Sequence, residues 1–224
     1  MIVLVALPLA LMSMQQETAI AQRLAGRVPP QIASLVEQLG TVAAARGLPV
    51  DPLIQKAIEG SAKGVAPERV AAALRVVAMQ LDTAAAALRD WSVELASDTL
   101  AVAAGEFAIT AGLSRSDITA LARTGANATA LTVGLRVAGT LAALGVPPAE
   151  DIALVSVELR AGEPASTLLL LPANVQAEIA KGVTPAQAAA GLARAAAAQA
   201  RHGPPPGPGS GHPHPPHPTP PPHP

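Results

Sequence analysis

The sequence has no cysteine and no tyrosine, and its only phenylalanine and tryptophan are Phe107 and Trp91. Without cysteine the chain has no disulfide, no thiolate zinc site and no cysteine nucleophile. Four of the five histidines lie within residues 211–224, and the fifth is His202. Residues 1–201 therefore cannot supply a Ser-His-Asp triad, and acid–base catalysis there would depend on carboxylates.

Charge is also scarce, with 15 lysines and arginines against 16 acids and a formal net charge of −1. The cations are scattered along the chain, so no basic patch matches a nucleic-acid backbone. We expect no nucleic-acid partner. The sequence also lacks the spacing of a P-loop, a GxGxxG turn, an HExxH helix and a calcium-binding loop.

Alanine, leucine and valine make up most of the apolar half of the chain, which favours helices over strands. Asp51-Pro52 and Thr184-Pro185 each place a capping residue before a proline, as helix starts do. Five times a lysine or arginine precedes a glycine by one or two residues, as expected at helix ends. These pairs lie in residues 46–47, 63–64, 123–125, 160–162 and 181–182.

These signals predict an all-α fold of eight or nine helices. Their predicted bounds, with a break at Pro172, are 30–46, 51–63, 67–90, 97–111, 114–124, 127–144, 148–161, 165–181 and 185–201. Segments 123–131 and 160–168 are similar at an offset of 37 residues, and so are 62–74 and 180–192 at a longer offset. Repeats of this length indicate stacked helical hairpins, although a closed multi-helix bundle also fits.

The chain ends differ in composition from its centre. The apolar run MIVLVALPLALM has the length of a signal-peptide core, and Ala19-Ile20-Ala21 would allow cleavage before Gln22. We expect a signal peptide over 1–21, a helical domain over 22–202, export to the periplasm or medium, and no stable membrane span after processing. A cytoplasmic or N-terminally anchored protein is the alternative, because no cation precedes the apolar run.

Residues 203–224 are almost entirely proline, glycine and histidine, which predicts a disordered or extended tail. Its four histidines each precede a proline, an arrangement that favours polyproline II and offers no preformed tetrahedral site. We expect at most weak, transient binding of Zn²⁺, Ni²⁺ or Cu²⁺, and otherwise a spacer without a cofactor. The candidate ligands are His212, His214, His217 and His223.

Three carboxylate positions are candidates for chemistry. Glu59 lies between Lys56 and Lys63, the spacing of a solvated helix face. Glu150 and Asp151 occupy the first turn of a predicted helix, where acids stabilise the macrodipole. Glu106, beside Phe107, is the one carboxyl for which we expect partial burial and a shifted pKa.

Two further features concern packing and interaction. Arg136 is the only charge within residues 129–146, which predicts a helix packed closely through its small residues. We expect Arg136 either to extend its charged end to the surface or to pair with a carboxylate such as Glu158. The run STLLLLP, residues 166–172, contains four consecutive leucines, whose side chains would point to all sides of a helix. We expect neighbouring hairpins to enclose them; an exposed apolar patch for a partner is the alternative.

Residues 47–75, GLPVDPLIQKAIEGSAKGVAPERVAAALR, resemble a segment of uncharacterised exported bacterial helical proteins, a resemblance that implies no activity. We expect a non-catalytic interaction or structural module of the bacterial envelope that binds another protein or itself. The alternatives are a metal-handling accessory protein that uses the tail, and an enzyme or small-ligand carrier built on carboxylates. A deep pocket that gathers Glu106 with a second acid would favour the last, and a solidly packed helical body would count against it.

Overall fold

The computed structural model describes residues 19–202, which are helices joined by turns, without a strand in that range. The all-α prediction is confirmed. The first helix, α1, covers residues 19–24. The others are α2 Pro30–Ala45, α3 Asp51–Ala62, α4 Pro67–Arg89, α5 Val93–Ser97, α6 Thr99–Thr110, α7 Arg115–Ala122, α8 Ala128–Ala143, α9 Pro148–Ala161, α10 Ala165–Ala180 and α11 Pro185–His202.

The predicted helix ends are confirmed by the backbone. All five glycines of the predicted stops adopt the left-handed conformation, with φ between 66° and 96°. A side chain with a β-carbon disfavours this conformation, so glycine ends each helix at low strain. Ser114 and Asp117 form a reciprocal capping box at the start of α7.

The internal repeat corresponds to equivalent helices. Helices α8 and α10 begin and end exactly one repeat of 37 residues apart, and α9 and α11 begin at Pro148 and Pro185. The turns within the two hairpins contain Gly145 and Gly182, both with positive φ. Residues 128–161 and 165–202 are therefore two copies of one helix–turn–helix unit.

Helices that are close in sequence are also close in space. One row runs through α2, α4, α6, α8 and α10, and a second row runs through α7, α9 and α11. Within the hairpins, α8 packs on α9 and α10 packs on α11. The main contacts of α2 are with α3 and α4, and those of α11 are with α9 and α10. This is the packing expected of stacked hairpins.

Small residues bring the helices of this stack close together. A β-carbon at Gly139 on α8 would lie 2.7 Å from the Phe107 ring on α6. Gly134 on the same helix faces Leu159 of α9 at a similarly short distance. The expected close packing of α8 through its glycines is thus observed.

Two local predictions were wrong. The short helix α5 was missed because five residues are too few to show a periodic pattern; Ser92 caps it by accepting a hydrogen bond from the Leu95 amide. The predicted break at Pro172 is absent, since α10 continues through this proline. Burial of Leu168 and Val175 on either side of Pro172 holds the two halves of α10 on the same core and offsets the lost backbone hydrogen bond.

The ends of the described range bear on the predicted domain boundaries. Ile20 is buried and packs over Gly40, and Arg23 forms an ion pair with Asp51. The predicted cleavage point before Gln22 thus lies inside α1. Residues 1–18 and 203–224 lie outside the described residues, as do most of the predicted signal peptide and the whole predicted tail.

Helix α4 is the one helix of the described range that is long and apolar enough to cross a bilayer. It packs against α2, α3, α5, α6 and α7. The apolar residues that recur along its sequence at spacings of four and three form a buried stripe on one side of α4. These residues are Val70, Leu74, Val77, Leu81, Ala84 and Leu88. A core helix of a stacked fold has these properties.

Candidate functional site

A cleft of about 410 Å³ lies where α3, α4, α6 and α8 meet. Helix α3 contributes residues from Asp51 to Glu59, and α6 contributes one side along its whole length. Pro49 before α3, Val77 of α4 and Arg136 of α8 complete the lining. The cleft is within the size range of small-molecule sites, about 300–1,000 Å³.

The α6 side of the cleft is apolar. Leu100, Ala103 and Phe107 follow one another at spacings of three and four residues, so they form a stripe on one side of the helix. Leu100 is 65% exposed and Phe107 is also exposed, although the opposite side of α6 is buried in the stack. The described helices therefore leave part of this surface open, although the Phe107 ring contacts α8 at Gly139.

Glu106 lies beside this stripe and is only 8% exposed. Burial raises the pKa of its carboxyl group, whereas the hydrogen bond with Thr110 and the charge of Lys56 lower it. Thr110 Oγ1 is 2.9 Å from both Glu106 Oε1 and Gln80 Oε1. Because a hydroxyl has one hydrogen to donate, Thr110 can donate to only one of these two oxygens at a time. Glu106 is thus buried and its pKa is raised, but it is not the one carboxyl of this kind, since burial also raises the pKa values of Asp151 and Glu158.

Two other acids line the cleft, and both are paired with cations. Asp51 pairs with Arg23, and Glu59 pairs with Lys63 and, at 3.6 Å, with Lys56. The hydrogen bond from Lys63 is the main cause that lowers the pKa of Glu59, and the charges of the two lysines add to it. The predicted solvated face around Glu59 is confirmed. That this face borders the same cleft as Glu106 was not predicted.

Arg136 is exposed at the edge of the cleft. Its exposure agrees with the first of the two expected arrangements. The pairing with Glu158 is wrong, because Arg136 makes no ion pair within residues 19–202. Glu158 is instead nearly buried, and burial, reinforced by the charge of Glu163, raises its pKa. The two residues are on different helices of one hairpin, and sequence alone does not show which sides of those helices meet.

Asp151 differs most from its prediction. It lies in the first turn of α9, as expected, but its side chain is 0% exposed and both carboxylate oxygens lack a hydrogen-bond partner among the described residues. Burial raises its pKa from 3.8 to about 8, and the charge of Asp117 on α7 adds to the shift. Asp151 is therefore protonated at neutral pH. Its neighbour Glu150 is only partly buried.

The leucine run divides between the core and the surface. Leu168 and Leu171 are buried, while Leu169 and Leu170 are 61% and 58% exposed on α10. The expectation that neighbouring hairpins enclose all four leucines is wrong. Helix α10 packs on α8 and α11, and these two neighbours cover only part of its circumference.

The four histidines predicted as metal ligands, 212, 214, 217 and 223, lie outside the described residues, and weak metal binding there stays a prediction. Between residues 19 and 202 no three histidine, aspartate or glutamate side chains are grouped as metal ligands would be.

Comparisons with family models, with curated proteins and with solved structures find no match for this chain. Its function is therefore inferred from its own residues.

Proposed function

We propose that this protein is a non-catalytic helical interaction module of the bacterial envelope that binds a protein partner, in the first place a second copy of itself. The observation that carries the proposal is the exposure of Leu169 and Leu170 side by side on α10. Their neighbours Leu168 and Leu171 already provide the contacts that hold α10 in the stack.

Two adjacent exposed leucines favour association. Fully burying one leucine side chain contributes about 1.5–3 kcal/mol. Two copies that cover their leucine pairs against each other would bury four such side chains in one symmetric interface. The scarcity of charge along α10 supports this arrangement, since Glu178 is the only charged residue between Ala165 and Ala180.

The side-chain inventory supports a non-catalytic role. Residues 1–201 contain no imidazole, thiol or phenol, the groups that most often act as nucleophile or general base. Two of the three carboxyl groups at the cleft are already neutralised by cations. The apolar amino-terminal run supports an envelope location, because it matches the core of a signal peptide.

The test is sedimentation of the full chain over a range of concentrations. We expect the wild-type protein to associate and the double variant Leu169→Ser, Leu170→Ser to remain monomeric, because serine removes the apolar area that drives association. Leu100→Ser is the matched control, since Leu100 is equally exposed but lies in the cleft. Equal association of the wild type and the double variant would refute the proposal.

A further inference from the structure

We propose that the cleft between α3, α4, α6 and α8 binds a small amphipathic anion, an apolar chain that ends in a carboxylate. The chain would lie along the α6 stripe of Leu100, Ala103 and Phe107. The carboxylate would pair with Lys56 and Arg136. This site is separate from the leucine pair on α10 and does not depend on self-association.

The apolar part of the ligand is indicated by the stripe itself. Leu100 and Phe107 are two helical turns apart and both are exposed, and Ala103 between them is only partly buried. A flexible chain that lies on these side chains removes apolar surface from water on both partners.

The anionic part is indicated by the charge balance of the cleft. Asp51 is neutralised by Arg23, and the single carboxylate of Glu59 is shared by two lysines. Arg136 has no acidic partner in the described part of the chain. With Arg23 and Lys63 counted beside Lys56 and Arg136, four cations face the three acids Asp51, Glu59 and Glu106. The excess of one positive charge is what a carboxylate would complement.

Glu106 is the least exposed acid of the cleft lining, and burial raises the pKa of its carboxyl group. Burial thus disfavours the negative charge that would repel a bound anion. The size of the cleft is also that of a small molecule; a partner helix with its side chains, about 10–12 Å across, would need a longer groove.

The experiment uses the only phenylalanine of the chain as a reporter. Protein labelled with ¹³C in the phenylalanine ring gives the signals of Phe107 alone, and the indole N–H of Trp91 serves as a control outside the cleft lining. The probes are decanoate, decan-1-ol, decyltrimethylammonium and acetate. We expect decanoate to shift the Phe107 signals with saturation and to leave the Trp91 signal unchanged.

Decan-1-ol has the apolar chain but cannot form the ion pair, and acetate can form the ion pair but lacks the chain. Each should therefore bind at least about tenfold more weakly than decanoate. The cationic decyltrimethylammonium should bind more weakly still. Decan-1-ol or the cation binding as tightly as decanoate would overturn the charge assignment. A Phe107 signal that decanoate does not move would overturn the site.

Two pairs of substitutions at exposed positions distinguish binding in the cleft from binding elsewhere on the surface. Arg136→Gln should weaken decanoate binding about tenfold, whereas Arg75→Gln, an exposed arginine in the middle of α4, should leave it unchanged. Leu100→Ser should weaken binding, whereas Leu169→Ser should not. Equal effects within either pair would contradict the proposal. Because Leu169→Ser is expected to alter self-association alone, failure of the cleft and failure of the α10 interface are distinguishable.

Discussion

At the scale of single residues, Asp151 is the most unusual group in the structure. A carboxyl group with no exposed surface and no hydrogen-bond partner in the described range is far less costly to bury as the neutral acid than as the anion. Its position at the packing of α9 on α7 brings it near Asp117, whose negative charge further disfavours ionisation. The folded protein therefore binds a proton at Asp151 that the unfolded chain releases.

This difference predicts that stability falls as the pH rises. Below the ordinary pKa of 3.8, Asp151 is protonated in both the folded and the unfolded protein. Its pKa shift therefore has no effect on stability in that pH range. As the pH rises toward the folded-state pKa of about 8, the unfolded chain ionises first and unfolding becomes easier. The loss should reach several kcal/mol, since each pKa unit corresponds to about 1.36 kcal/mol. The raised pKa values of Glu106 and Glu158 add to the slope with the same sign.

Denaturant unfolding between pH 4 and pH 9 checks this prediction. Asp151→Asn cannot ionise, and we expect it to flatten the dependence of the unfolding free energy on pH and to unfold at higher denaturant than the wild type above pH 8. Glu150→Gln is the control and should keep the wild-type slope, since Glu150 is only partly buried. A slope that Asp151→Asn leaves unchanged would show that Asp151 is not protonated in the folded protein.

At the scale of the helices, the closest packing involves α6 and α8. A β-carbon at Gly139 would approach the Phe107 ring to 2.7 Å and Ala108 Cα to 3.1 Å, so either the ring or the backbone of α6 would have to move. Gly191 in α11 presents the opposite case, because a β-carbon there meets no atom within 4 Å. Both glycines lie within helices, but only Gly139 is required for close helix packing.

Alanine at these two positions should therefore have opposite effects. Gly139→Ala is expected to lower the free energy of unfolding by about 1–3 kcal/mol through overpacking. Gly191→Ala is expected to raise it by up to about 1 kcal/mol, because alanine favours the helix and nothing obstructs its methyl group. Thermal unfolding of the two variants beside the wild type measures both changes, and the same sign for both would contradict the packing assigned to α6 and α8.

At the scale of the whole molecule, cleavage of the predicted signal peptide would change the stability of the helical stack. Cleavage before Gln22 would remove Ile20, which fills the space over Gly40, and would retain Leu24 and the Arg23–Asp51 ion pair. The exported form would thus have a smaller core than the uncleaved chain.

We predict that the natural protein recovered from fractionated cells is periplasmic or secreted and begins at Gln22. Its intact mass and amino-terminal sequence measure this directly. A chain that starts at Gln22 should be less stable than one that includes Ile20 by about 2 kcal/mol, the contribution of one buried aliphatic side chain. An uncleaved protein in the cytoplasmic fraction would contradict the predicted export.

The helices and their ends could be predicted from the sequence because their signals are local. Proline at Pro52, Pro67, Pro148 and Pro185 marks the first turn of four helices within one or two residues, and a positive-φ glycine follows most helix ends. The same locality explains the misses. The break expected at Pro172 depends on the core around α10, and α5 depends on a cap at Ser92 that spans only a few residues.

The candidate site could be predicted only in part. Glu106 was identified because a lone acid beside Phe107 stands out in an apolar helix, and Glu59 because of its lysine neighbours. The meeting of both with Arg136 and the burial of Asp151 were not foreseen, and the exposure of leucines in the run 168–171 was only the alternative to their burial. Each of these depends on how far one helix is rotated against another.

The sequence by itself determined where helices begin and end, which residues form the α4 stripe, and that a 37-residue unit is repeated, since caps, prolines, glycines and periodicity act within a few residues. Only the tertiary structure decided which carboxyl groups are buried away from water and which apolar side chains remain exposed to it. Burial is a property of neighbouring helices, and an apolar residue or an acid has the same local sequence signal on either side of a helix.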